Sequence, residues 1–478
     1  MKKLLPFFLG GIVVLCVVNA CHDDDDDGTQ IPAETIATNK WIHDDMDSYY
    51  FWTDQLPDVD YRKESDSEEY FKKLIYKDDP WSWITDDYAS LAADYDGVPV
   101  TMGYDPSFFY YDSASDRVIM VVNYVYPGSA AAEAGLKRGD VILKVNGQEF
   151  NDENYYEVYS GNSYSVLIGK ARLNSDKTVS IEDTKVTLSM TARVTTTDPA
   201  VWHEVIDTLD HKIGYLAYVE FVAGADSVFL ETLDEIFVEF KSKGVSDLIV
   251  DLRYNPGGES TAAIHLASEI APAAVINSSD KYLVSLNYNS DFQAYLESKA
   301  EFKDNLYYRF SKPKANLNLD KVYFLTTDGT ASASELVITG LDPYMEVVQV
   351  GDSTYGKYAG AFILPDNEDE EKAKWAIIPI VMKYANYNKY TDFKDGLYPD
   401  FVMNDNLIFA VPFGDTADPM TKRAIEDIAG VPQSVATRSR FDLTRRFKKI
   451  IPENRAMNLR RNLYLPVTPE LKKLLVKE

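Results

Sequence analysis

Cysteine is almost missing from this chain: Cys16 and Cys21 are the only two in 478 residues. Both lie in or just after the first apolar run, so the body beyond them has no disulfide, no thiolate metal site and no cysteine nucleophile. Histidine is scarce too, at five residues (His22, His43, His203, His211 and His265). None falls in an HExxH pattern, which argues against a zinc hydrolase. Basic charge is short: 48 Lys and Arg face 76 Asp and Glu, a formal net charge of −28. Repulsion argues against nucleic acid as the main partner. The G-x-S-x-G elbow, the P-loop and the dinucleotide glycine fingerprint are all absent.

What is present begins with length and aromatics. A chain of 478 residues with 33 tyrosines is too long for one ordinary core, and two or three domains are expected. Lys2-Lys3 precedes an apolar run from Leu4 to Val18 that ends in "VNAC". The run is short for a spanning helix and reads as a signal peptide over residues 1–20. Ala20 before Cys21 resembles the lipobox of bacterial lipoproteins, which implies lipidation at Cys21. The acidic run "HDDDDDG" lies in a tether over 21–38. It reads as a solvated, self-repelling spacer, and it also resembles the surface-export signal of Bacteroidetes lipoproteins. These resemblances imply a lipid anchor in the cell envelope, at the outer membrane and with possible surface exposure.

Residues 39–88 carry Trp41, Met46, Tyr49 and Tyr50 at near-helical spacing, with Asp-Pro breaks, and predict a small helical N-terminal element. From about residue 89 the period changes to two. "RVIMVVNYVYPGSAAAEAGLKRGDVILKVNGQEF" gives strand, Pro-Gly turn, short alanine-rich helix, strand and Asn-Gly hairpin. That order resembles a PDZ domain, here over 89–193. PDZ domains take C-terminal peptides as an added strand and hold the carboxylate on main-chain N–H groups. "TMGYD" lies where that loop would come, so Thr101, Met102, Gly103 and Tyr104 are the candidate peptide-binding residues. Gly103 is otherwise a plain turn glycine.

Beyond residue 194 strands and helices alternate, predicting an α/β domain over 194–430 whose sites gather in loops after strands. Three such loops stand out: "NPGG", "TASASE" and "TYGK". His265 falls on an apolar helical pattern and reads as a packed histidine. Lys357, beside Tyr355 and Tyr358, suits a lysine whose amine is neutral in a dry pocket, although a lysine taken alone is far more often a surface residue. A basic tail over 431–478 is expected to pack on the acidic body.

The run "LIVDLRYNPGG", "TASASE", "GDSTYGK", with the PDZ pattern before it and "GLYPDFVM" after it, resembles the tail-specific, or C-terminal processing, serine peptidases. The resemblance covers about residues 39–405. It implies a multi-domain α/β protein with a ClpP/crotonase-like core, Ser332 as nucleophile and Lys357 as general base. It places the oxyanion hole on Gly257 or Gly258 together with Ala333. It implies protein or peptide substrates with free C-termini, and no metal or cofactor. Ser334 is expected to face or cap the following helix. One departure matters: much of the family has a glutamine four residues after the lysine, where this chain has Ala361. That leaves open an alternative, a catalytically degenerate peptide-binding lipoprotein.

Overall fold

The computed structural model describes residues 31–431 apart from 112–114 and 177, together with 447, 449–450 and 463–465. The signal segment, Cys21, the acidic run at 22–28 and most of the basic tail lie outside the described residues; residues 33–38, read as the end of the tether, belong to the first helix. Among the described residues no helix is long and apolar enough to cross a membrane.

The N-terminal element opens with α1 (Ala33–Tyr49), which turns Ile42, Met46 and Tyr49 inward at helical spacing. In α2 (Ser67–Leu74) the Asp66 carboxylate accepts from Glu69 N–H at 3.0 Å, and Lys72 and Lys73 sit in the last turn, so both ends complement the helix dipole. Two expectations are corrected here. Trp83–Thr85, read as helical, is a strand paired antiparallel with Ala376–Ile378. Strand alternation does not begin near residue 89, because α3 (Tyr88–Tyr95) starts there: the Asp87 side chain accepts from Ser90 N–H at 3.1 Å and caps it.

The PDZ sheet contains β1 (Tyr104–Tyr110), β2 (Arg117–Val125), β3 (Val141–Val145), β4 (Ser163–Leu173) and β5 (Val179–Thr191) in that spatial order. Two short helices join it, α4 (Ala130–Ala134) and α5 (Tyr155–Tyr159). Asn146 and Gly147 take φ of 50° and 79°, the left-handed pair that an Asn-Gly hairpin turn requires.

In the α/β domain, β6 (Ala200–Thr208) and β7 (His211–Tyr218) form an antiparallel pair. Beside β7 lie β8 (Asp247–Asp251), β10 (Lys321–Thr326), β11 (Glu346–Gly351) and β14 (Phe401–Val402), all parallel. A second sheet places β9 (Val284–Tyr288), β13 (Ile380–Asn386) and β12 (Ala359–Phe362) side by side, with Leu463–Leu465 beyond β12. Helices α6 (Val228–Lys243), α7 (Ser260–Ile270) and α8 (Ala333–Leu341) contribute to the same core as one face of the main sheet and the second sheet: Val250 and Phe324 meet Phe237, Leu266 and Leu336, and Val284 and Met382 close the far side. The other face of the main sheet packs on α9 (Pro419–Ile428) through Met420, Ala424 and Ile425, and on Tyr124 and Tyr126 of the PDZ domain. With both faces covered, the parallel strands read as unbroken apolar runs, "LIV" in β8 and "VYFL" in β10. The loops leaving β8, β10 and β11 meet at their carboxyl ends, where open α/β sheets place their sites.

Candidate active site

The loop after β8 is pinned from below by Arg253. Its guanidinium is 1% exposed and meets Asp251 at 2.7 Å, Asp418 at 3.0 Å and Asp405 at 3.1 Å. The surrounding carboxylates hold its pKa well above the usual arginine value against the opposing effect of burial. The loop after β10 is then stitched to it. Thr327 Oγ1 donates to the Arg253 carbonyl, Thr330 Oγ1 to the Leu252 carbonyl (2.7 Å), and Ala331 N–H to the Asn255 carbonyl (3.1 Å). Ser334 Oγ also donates to the Asn255 carbonyl, at 3.1 Å. Ser334 thus braces the neighbouring loop; the N-cap of α8 is Ser332.

Ser332 has φ 59° and ψ −108°, a region that costs a non-glycine residue about 1–3 kcal/mol and persists only where surrounding contacts impose it. The side chain is fully buried and its Oγ has no hydrogen-bond partner. What imposes the conformation is Glu335, three residues on. Its Oε2 accepts from Ser332 N–H at 2.7 Å and from Lys357 N–H at 2.9 Å, while its Oε1 accepts from Gly356 N–H and Thr354 Oγ1, both at 2.6 Å. On the other side Tyr384 Oη of β13 lies 3.3 Å from the Ser332 carbonyl oxygen and 3.1 Å from that of Lys357. One carboxylate and one phenol therefore hold the backbones of both candidate residues. Gly356 has φ 96°, and a Cβ there would stand 2.4 Å from the Lys394 carbonyl oxygen, so "YGK" requires its glycine.

Lys357 is fully buried. Burial pushes its pKa down to about 7, while the charges of Asp79 and Glu335 pull it up. Its Nζ lies 5.9 Å from the ring centroid of Trp81. Burial likewise raises the Glu335 carboxyl to about 7, against the four hydrogen bonds that favour its charged form. Asp79 is itself fixed by Tyr50 Oη (2.8 Å) and Ser82. The family's glutamine position is different in kind: Ala361 is buried among Trp83, Leu91, Ile378 and Ile380.

Of the three oxyanion candidates, Gly257 already donates its N–H to Asn255 Oδ1 at 2.9 Å. Its role is close approach: a Cβ at 257 would sit 2.7 Å from Ser332 Cβ, and φ is 114°. Gly257 and Glu259 bond to Phe221 (Phe221 N–H to Gly257 O at 2.8 Å, Glu259 N–H to Phe221 O at 2.7 Å). In such a parallel bridge the residue between, Gly258, turns its own N–H to the opposite side. Gly258 lines a cleft of about 260 Å³ that also includes Thr101, Tyr104, Trp83, Leu91 and Tyr95. Thr101 and Tyr104 thus face one space with Gly258. Met102 and Gly103 do not line it. Both are buried, with Gly103 N–H donating to Thr101 Oγ1 at 3.1 Å and Gly103 packed against Ser129.

The strand edge that a PDZ ligand would join is occupied. Lys449–Ile450 pairs antiparallel with β1, Ile450 opposite Phe108 and Lys449 opposite Phe109. Lys449 Nζ reaches Asp328 Oδ1 at 2.6 Å, in the loop before Ser332.

Sequence reading assigned no role to Glu335, Tyr384 or Asp79. The Ser-x-x-Glu spacing of a capping box was a signal available for Glu335. Tyr384 and Asp79 come from distant segments and carry no local signal.

Fold and site define a PDZ-bearing α/β protein with a strained serine at a strand-to-helix turn, next to a buried lysine. Sequence models match accordingly: peptidase family S41 over residues 212–403, the peptidase S41 N-terminal domain over 37–83 and a PDZ domain over 121–159. The chain belongs to peptidase family S41. It is 25% identical over 316 residues to a carboxyl-terminal-processing protease of a Picosynechococcus strain, covering 65% of this chain and 66% of that one. It is 24% identical over 294 residues to the carboxy-terminal processing protease CtpA of Bacillus subtilis, covering 59% and 52%. The chain therefore spans about half to two thirds of the length of these curated relatives. A crystal structure of an S41-type chain from Bacteroides fragilis superposes with a TM-score of 0.68 at 28% identity, covering 82% of this chain and 98% of that one.

Proposed function

We propose that this chain is a serine endopeptidase that cleaves protein substrates near their C-termini through a Ser332–Lys357 dyad. The observation that carries the reading is the shared Glu335 oxygen, which ties the backbones of Ser332 and Lys357 together at the start of a helix. Neutral Lys357 takes the Ser332 Oγ proton as Oγ bonds to the substrate carbonyl carbon. The resulting oxyanion is met by Ala333 N–H and Gly258 N–H, at the positive end of α8. The Lys357 ammonium returns its proton to the departing amine as the C–N bond breaks, leaving an acyl-enzyme. Lys357 then accepts a proton from water, hydroxide adds to the ester carbon, and Ser332 leaves reprotonated. Asp79 and Glu335 supply the orientation that a glutamine gives elsewhere in the family. The PDZ cleft, reached once Lys449–Ile450 leaves the β1 edge, holds the substrate tail and raises the local concentration of the scissile bond. Lipidation at Cys21 would hold the enzyme in the cell envelope, at the outer membrane.

Cleavage of casein by the full chain, compared with Ser332→Ala and Lys357→Ala, tests this. Activity lost in both variants is expected. An inactive wild type across several substrates and conditions would favour the degenerate, peptide-binding reading, which the apolar surroundings of Ala361 support.

A further inference from the structure

Helices α6 and α7 face each other across a polar cluster that shares no residue with the loops described above. His265 and Glu269 stand four residues apart on α7 and so share one face. Asp234 comes from α6. One ligand atom from each of the three lies within 4.8 Å of the others. His265 Nε2 is 2.9 Å from Asp234 Oδ1, and the Lys314 ammonium is 3.2 Å from Asp234 Oδ2.

Glu269 sets this cluster apart from an ordinary ion pair. The residue is completely buried, and neither carboxylate oxygen meets a donor at full hydrogen-bonding geometry; its polar neighbours are the Ala315 backbone and the Asp234 carboxylate. A buried polar group without a partner is costly and calls for an explanation. The Lys314 side chain is 62% exposed, whereas Asp234 is 9% exposed. The ammonium that pairs with Asp234 is therefore on an exposed arm that solvent can take back.

We propose that Asp234, His265 and Glu269 bind one divalent transition-metal cation of the Zn²⁺ type, with Lys314 as its displaceable stand-in. One imidazole and two carboxylates are a donor set that Zn²⁺ accepts, at about 2.0–2.2 Å per bond, with a fourth position left for water. An imidazole ligand favours such a metal over Mg²⁺ or Ca²⁺, which prefer all-oxygen sets. The site would staple α6 to α7. Since α7 begins directly after Glu259, the metal would stiffen the helix that follows the Asn255–Glu259 loop. Its role is structural and does not depend on the peptidase reading.

The test uses the full chain after chelation, titrated with ZnCl₂ by calorimetry and followed by thermal unfolding, with CoCl₂ absorption as an independent report of ligand type. One equivalent is expected to bind, with Tm rising with free Zn²⁺. Glu269→Gln and the less deeply buried His265→Asn should each weaken binding at least tenfold, and Lys314→Met should strengthen it. No saturable binding, equal affinity in both ligand variants, or equal stabilisation by Mg²⁺ and Ca²⁺ would each overturn the proposal. Circular dichroism checks that the variants fold. If Glu269→Gln does not, His265→Asn alone decides.

Discussion

Ser332 and Lys357 donate their backbone N–H groups to the same atom, Glu335 Oε2, at 2.7 and 2.9 Å. Residues 25 positions apart in sequence are thereby fixed by one buried carboxylate, and the positive φ of Ser332 is held without any bond from its own hydroxyl.

Replacing that carboxylate should loosen both residues at once. Glu335→Gln keeps the shape but turns one acceptor into an NH₂ facing N–H donors. The loss is expected to exceed tenfold in kcat, with destabilisation of about 1–3 kcal/mol. Steady-state kinetics and urea unfolding measure the two separately; an unchanged kcat would mean the clamp has no part in the reaction.

Tyr384→Phe removes the hydroxyl between the Ser332 and Lys357 carbonyls. The two carbonyls lose the single proton they share, while the Ser332 carbonyl keeps the Leu336 N–H, so a cost of about 1–2 kcal/mol in stability is expected. The KM should change less than kcat, since the phenol lies behind the site rather than in the cleft.

Lys357 titrates near 7 in the folded chain against 10.5 for a free lysine. Below about pH 7 the amine is protonated and cannot accept the serine proton, so kcat/KM should rise through that pH with a slope approaching tenfold per unit. For stability the sign is equally definite. Between pH 7 and 10.5 the unfolded chain binds the extra proton, so unfolding free energy rises with pH in that window. The burial cost is full below 7 and absent above 10.5. Lys357→Met should lose this component, read as a flatter difference between urea unfolding at pH 7.5 and at 9.5.

Gly257→Ala places a methyl 2.7 Å from Ser332 Cβ at φ 114°. The strain, about 1–3 kcal/mol, falls on Ser332, and proteolysis should drop sharply while peptide binding by the PDZ domain is kept. Fluorescence anisotropy with a labelled C-terminal peptide, alongside casein cleavage, separates the two.

The double variant Lys449→Glu, Ile450→Asp breaks the contact with Asp328 and withdraws the apolar side chain packed on the PDZ core. Freeing the β1 edge should tighten binding of a C-terminal peptide relative to wild type. Unchanged affinity would show that ligands do not use that edge.

Much of the architecture was legible because it is written locally. Pro127-Gly128, Asn146-Gly147 and Gly244 mark turns and a helix end through conformations few other residues adopt, and the unbroken apolar strands β8 and β10 announce a sheet covered on both faces. The errors came where a local signal was outweighed: Trp83–Thr85 became a strand because Ala376–Ile378 offers it a partner, and Asp87 started a helix where alternation was expected. Sequence alone determined the order of domains and the position of Ser332 at a helix start, since turn and cap preferences act over a few residues. Only the tertiary structure decided the company Ser332 and Lys357 keep. The carboxylate of Glu335 must be buried to grip both backbones, and Asp79, Trp81 and Tyr384 come from segments dozens to hundreds of residues away. Hydrogen bonds and desolvation depend on distance in space, which no local pattern records.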